Sequence, residues 1–253
     1  MKESSPGPEL RPHNDAWYLA ESFRVPKNQS RRFNEYYRNV LTPLLHSYRQ
    51  TGEICAHALH RLRFQAEKHG EFEAWNFLLL IEAKDAEAAK AYSAKAQTLP
   101  AFEQASVVRR ELLASTPESN YPKPAIQVRE RSGKPFFAVE YVDVQQPYLN
   151  EFREIMIRRN GPAMRHIMEH ARWCHSMIAL ETVEVWESIP QAPSWNQIHV
   201  IGLYPESFLR YKKDFASGLA ASGSGIGFEE NFGQLKKIRN MLYKTVGSRI
   251  PCS

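Results

Sequence analysis

The sequence predicts an α+β fold in which two tandem β-α-β-β-α repeats close on each other as one intramolecular α/β barrel. Three observations predict it. First, the chain matches itself at an offset of 119 residues. "AWYLAESFRV" (16–25) falls on "PFFAVEYVDV" (135–144), Glu21 on Glu140, Phe33 on Phe152 and Pro43 on Pro162; one further residue of slip brings Trp75-Asn76 onto Trp195-Asn196. Second, each copy gives the same order of strand and helix patterns. Third, the strands are apolar on both parities: Trp75, Phe77, Leu79 and Ile81 on one side, Leu78 and Leu80 on the other. A sheet with two apolar faces needs two covers. Helices supply one and the sister sheet the other.

Residues 1–15 carry no apolar run and read as a tail, not a secretory signal. The first repeat occupies 16–112. Residues 17–25 alternate as a strand. Phe33, Tyr36, Tyr37, Val40, Leu41, Leu44, Leu45 and Tyr48 form a helical stripe over 30–49, with a kink expected at Pro43. Strands follow at 54–64 and 75–82, then the alanine-rich helix "DAEAAKAYSAKAQTL". The Pro- and Ser-rich stretch within 113–134 reads as a linker. The second repeat fills 135–250: a strand at 136–144, a helix over 147–175 broken near Gly161-Pro162, a hairpin of 177–187 with 195–203, and a helix at 205–216. After the glycine-rich "SGLAASGSGIGF" an additional helix is expected over 228–246.

The 253 residues carry a net charge of +5, and the basic side chains are scattered. No stacking platform interleaves with them, which argues against nucleic acid as a partner. Three cysteines without recurrent spacing argue against a disulfide framework; Cys55 and Cys174 are expected buried and Cys252 on a loose end. No apolar run approaches membrane-spanning length, so no membrane partner is expected and the cytoplasm is the expected compartment.

The element order, the repeat and the first-helix segment "FNEYYRNVLTPLL" resemble the dimeric α/β-barrel superfamily, in the tandem form where one chain carries both ferredoxin-like halves. That segment is similar to the helix of ethyl tert-butyl ether degradation (EthD-like) proteins. Where those proteins often carry a histidine, this chain has Leu41 and, in the second copy, Asn160. The resemblance implies cofactor-independent oxygenases, cyclases, isomerases or decarboxylases. It also implies an alternative: chlorite-dismutase-like tandem barrels, which handle haem.

The candidate site residues come from departures between the copies. Glu21 and Glu140 each sit on a strand face with apolar neighbours, where a charge is costly unless paired or put to use. Gln197 and His199 replace Phe77 and Leu79, so one half gains hydrogen-bonding groups where the other is apolar. If the hairpin pairs around 188–194, His199 lies near residue 183, between Glu181 and Glu184. The expected site therefore joins His199 as the proton-transfer group, Glu181 or Glu184 as its orienter, Glu140, and Gln197 as a substrate hydrogen-bonder. His60, on the more buried face of its strand, and Glu21 are expected to contact a ligand in the first half. "HIMEH" (166–170) spells an inverted zinc-peptidase motif, but no placed third ligand accompanies it, and no metal is expected. "GSGIG" (223–227) follows a helix and lacks a dinucleotide-binding context.

The expected activity is acid–base chemistry on an aromatic or xenobiotic-like small molecule, without a tightly bound organic cofactor. One alternative is a haem protein with an axial ligand among His166, His170 and His175. The other is a non-catalytic binding or assembly module. Self-association is also expected, because sheet edges stay exposed in such barrels.

Overall fold

The first strand of each half sets the pattern for everything around it. In the computed structural model, which describes residues 16–121 and 135–251, β1 (Trp17–Arg24) and β5 (Phe136–Val144) each alternate between two buried environments. The other strands are β2 (Ile54–Lys68), β3 (Phe77–Ala83), β4 (Ser106–Tyr121), β6 (Cys174–Ser188), β7 (Gln197–Leu203) and β8 (Arg239–Ile250). They form one closed antiparallel barrel in the order β1-β3-β2-β8-β5-β7-β6-β4. Two seams join the halves, β2 with β8 and β4 with β6.

Helices cover the outside. In the first half, α1 (Ser30–Tyr36) and α2 (Thr42–Gln50) flank a π-turn at Tyr37–Leu41, and α3 (Ala86–Ala96) follows β3. In the second, α4 (Leu149–Ile155) and α5 (Gly161–His166) flank a π-turn at Met156–Asn160. Then come α6 (Ser207–Ala221) and α7 (Phe228–Ile238). The two π-turns sit 119 residues apart, each just before a proline-bearing turn. Pro43 and Pro162 lack an N–H, and the wider turn takes up the break in the hydrogen-bond ladder. The expected kink is thus a π-turn in both copies.

Three apolar clusters result. Leu19, Phe77, Leu79 and Ile81 pack outward against Phe33, Tyr37 and Leu45. Val142, Val144 and Ala179 pack outward against Phe152, Met164, Ile167 and Phe215. Tyr18, Leu78, Leu80, Val139, Tyr141, Ile198 and Val200 fill the barrel interior, joined by Trp75 and Trp195. The two-sided apolar pattern of the strands is therefore satisfied by helices on one face and by the facing wall of the barrel on the other.

The structure corrects the sequence reading in four places. Each half gains a further strand after its last helix. β4 runs through Tyr121, so the expected linker starts inside a strand; its remainder, like the tail at 1–15, lies outside the described residues. β8 takes residues that were expected to extend the last helix, since Ile238, Leu242 and Val246 also suit helical spacing. The open edges of β2 and β5 supply the hydrogen-bond partners that decide the matter. Trp75 and Trp195 precede their strands and turn into the barrel, so they do not share a face with Phe77 or His199. Cys55 is exposed, whereas Cys174 is buried as expected; Cys252 lies outside the described residues. At the β2–β8 seam, a side chain at Gly247 would run into the Arg61 carbonyl oxygen, so this position needs glycine.

Candidate functional site

On the helix-covered face of the second half, three strands bring polar groups together. β7 lies between β5 and β6. His199 is opposite Glu140 on one side and Ala179 on the other; two residues along, Gln197 is opposite Val142 and Glu181. All four polar side chains are buried, His199 at 2% and Gln197 at 0% exposure. His199 Nδ1 lies 3.3 Å from Glu140 Oε2, and Glu140 Oε1 accepts from Lys244 Nζ at 2.7 Å. Burial opposes charge on Glu140. The Lys244 ammonium, the His199 hydrogen bond and Arg239 together outweigh it and hold the carboxyl well below its ordinary range. The same ion pair pushes the Lys244 ammonium up.

An ionised Glu140 can only accept, so the network assigns the imidazole proton to Nδ1. Nε2 then presents its lone pair, and this atom is buried with no hydrogen-bond partner among the described residues. Both amide atoms of Gln197 are in the same condition. The His199 ring lies nearly parallel to the Phe152 ring, 6.2 Å away, and the Arg239 guanidinium sits over the Phe152 ring at 6.0 Å.

The arrangement differs from the sequence expectation in its pairings. The hairpin register places Ala179, not residue 183, opposite His199, so the orienting carboxylate is Glu140 from the neighbouring strand. Glu181 is held by Arg153, whose Nε donates to Oε2 at 2.9 Å. Glu184 is half-exposed, 3.5 Å from Lys90, and makes no contact with His199. His60 points into the barrel, against Phe137 (ring centroids 4.9 Å apart), well removed along the sheet from His199. Burial pushes its pKa down to about 3, with Arg249 adding to the effect. Glu21 pairs with Arg110 at 2.5 Å, and Arg110 also reaches Glu187; burial still pushes the Glu21 carboxyl up against that pull.

Sequence reasoning missed Lys244, Arg153 and Phe152. Arg153 and Phe152 were hidden in the helical stripe. Lys244 was assigned to a helix, but the repeat held a signal for it: Glu21 pairs across strands with Arg110 and Glu140 with Lys244, the same position in both halves. The helix histidines lie elsewhere. His166 and His170 stack on each other at 4.1 Å, with His170 exposed and its Nδ1 on the His166 carbonyl. His175 packs on Phe137 and Tyr204. No cluster of three or more metal-ligating side chains occurs among the described residues, and no helix there is long and apolar enough to cross a membrane.

No protein-family model matches the chain, and no curated protein matches it. Solved structures do. A mutant chlorite dismutase from Candidatus Nitrospira defluvii superposes with a TM-score of 0.53 at 10% identity, covering 96% of this chain and 94% of its own. A dyp-type peroxidase protein from Shewanella oneidensis gives 0.52 at 10% identity, covering 94% and 93%. A second mutant of the dismutase gives 0.50 at 11% identity, covering 96% and 95%. The chain therefore has the α+β barrel fold of the chlorite-dismutase-like and dyp-type structures. These neighbours overturn the expectation of a site without an organic cofactor.

Proposed function

We propose that this protein binds haem in its C-terminal half, between the β5–β7–β6 face and the helices, where His199 would hold it. One observation carries the reading: a buried imidazole with one nitrogen turned to an ionised carboxylate and the other without a partner. Metal-ligating histidines almost always donate their second ring N–H to a carboxylate or carbonyl, which fixes the tautomer and raises the basicity of the ligating nitrogen. Glu140 supplies that carboxylate, and Lys244 and Arg239 keep it charged. The orphaned Nε2 is thus a donor atom of the right chemistry, and in donor chemistry the residues present fit the group.

The surroundings suit a large planar ligand in composition. Met156, Met164, Met168 and Met177 belong to the cluster over this face. Methionine is the side chain that yields most readily to a new neighbour. Arg239 offers a guanidinium for a propionate, and Gln197 a free amide on the ligand's side of the sheet. When bound, haem would supply redox chemistry at iron. The chain would hold it by His199, tune it through Glu140 and exclude water with the surrounding apolar cluster. Two tandem ferredoxin-like halves, of which only the second carries the site, account for why Phe77 and Leu79 stand where Gln197 and His199 do.

Titration of the purified protein with haemin tests the reading. A saturable Soret band is expected. His199→Ala should abolish it or weaken binding by more than about 100-fold. Glu140→Gln should weaken binding by roughly 10- to 100-fold and raise the iron reduction potential, a readout that a purely structural carboxylate would not move. A wild-type protein with no Soret band, or a band unchanged in His199→Ala, would overturn it; the former would favour a non-catalytic module.

A further inference from the structure

The two Trp-Asn motifs meet inside the barrel. Trp75 and Trp195 stack with ring centroids 4.9 Å apart. Their backbones are treated alike: Arg109 Nη2 donates to the Trp195 carbonyl at 2.8 Å, and Tyr243 Oη to the Trp75 carbonyl at 3.1 Å. The register explains why. Glu21 pairs with Arg110 and Glu140 with Lys244, so Arg109 corresponds to Tyr243, and Glu111 to Thr245.

Their indoles are not treated alike. Trp195 Nε1 donates to Glu111 at 2.7 Å, Thr182 donates to the same carboxylate at 2.7 Å, and Arg109 neutralises it at 2.8 Å. Around Trp75, Glu111 is replaced by the shorter Thr245, Arg109 by Tyr243 and Thr182 by Leu62. Both charges of the ion pair have gone together, and the acceptor has gone with them. Trp75 Nε1 lies beside the Tyr141 hydroxyl, but no acceptor among the described residues meets it in hydrogen-bond geometry; Thr245 Oγ1 is unpartnered too. Trp75 is 0% and Thr245 1% exposed, so these are orphaned polar groups in an apolar interior, which is costly.

A cleft of roughly 860 Å³ opens at this end of the barrel, with Trp75, Tyr243 and Leu62 among its lining. Its rim carries Arg24, Lys27, Arg61 and Arg63. Arg24 is bound to Glu73 at 2.8 Å. Lys27, Arg61 and Arg63 face no carboxylate within ion-pair distance among the described residues. Burial lowers the Arg61 pKa and the nearby Arg63 charge adds to the effect, an arrangement that an anion relieves.

We propose that this cleft binds an organic acid with an uncharged carbonyl at its inner end. The carbonyl takes hydrogen bonds from Trp75 Nε1 and Thr245 Oγ1, in the place where Glu111 serves Trp195. The inner end is uncharged because no cation replaces Arg109 there, and a bare carboxylate would be buried without a counter-ion. The acid group stays at the rim with Arg61, Arg63 and Lys27. The apolar body lies against Tyr243 and Leu62. Because Trp75 is closed over in this state, entry needs the β2–β3 turn to part from Tyr243. This site is inside the barrel and is separate from the helix-covered face that holds His199.

Binding of 5-oxo-5-phenylpentanoate to the full-length protein, followed by tryptophan fluorescence and calorimetry, tests the proposal. 5-Phenylpentanoate lacks the carbonyl and butyrophenone lacks the charge; each is expected to bind about 10-fold more weakly. Thr245→Val should erase the preference for the oxo acid over 5-phenylpentanoate and leave the preference for charge. Arg61→Gln with Arg63→Gln should do the reverse, and these rim changes leave the core intact. Circular dichroism reports folding of each variant. No binding of the oxo acid, or equal binding of all three probes, would overturn the proposal; equal binding of the two acids alone would do so as well, since water would then be what satisfies Trp75 and Thr245.

Discussion

His60 shows how far a single residue can be placed by its neighbours. It is expected to contact a ligand; its ring lies in the barrel wall against Phe137, with an unpartnered Nδ1. Burial holds it neutral, with a pKa of about 3 against an ordinary 6.5. The unfolded chain therefore binds one more proton than the folded chain between those values. Stability from this residue is present above pH 6.5 and is lost as pH falls toward 3, at about 1.4 kcal/mol per pH unit. Urea midpoints measured from pH 7.5 to 4.5 should fall accordingly, and His60→Leu should flatten the slope. An unchanged slope in that variant would mean that other groups dominate the acid limb. Glu140 acts lower on the scale: its depressed pKa contributes stability above about 4.5 that is lost only on further acidification. At this scale the sequence made Glu140, Gln197 and His199 visible, because a polar residue at an apolar position of a repeat is conspicuous. It could not make their pairings visible, because those depend on register.

Elements were legible where one pattern dominates. The α3 stretch carries its own start signal: Asp85 Oδ1 accepts from the Ala88 amide at 2.8 Å and caps the helix. Asp85→Ala should cost about 1 kcal/mol, a fall in Tm of roughly 2–4 °C for a chain of this size; differential scanning calorimetry would read it. β4 and β8 were not legible. Residues 239–250 satisfy helical and strand spacing alike, and β4 has a charged run, Arg109-Arg110-Glu111, in its middle. Those three charges are tolerable in a strand only because Glu21, Trp195 and Thr182 arrive from elsewhere to pair with them. Hairpin register was misjudged by four residues along β6, since the bend begins at Ile189 rather than at its expected centre.

For the molecule as a whole, the halves depend on each other along both seams. Residues 16–121 alone would present the β2 and β4 edges together with Tyr18, Leu62, Trp75, Leu78 and Leu80 to water. Expressed separately, 16–121 and 135–251 are expected to aggregate or fail to fold; expressed together, they should reassemble into one complex that elutes with the intact chain on size exclusion. A first half that stays monomeric with native-like circular dichroism would contradict this.

The sequence by itself determined that the strands need cover on both faces, and that one half carries polar groups where the matching segment of the other is apolar. These follow from composition and period, which are local properties of the chain. Only the tertiary structure decided that each copy ends in a further strand, that Glu140 rather than Glu181 or Glu184 meets His199, and that the Trp75 indole lacks the acceptor its counterpart has. Those facts are set by which strand edge meets which. Edge pairing answers to the energy of closing the whole barrel, not to any window of sequence.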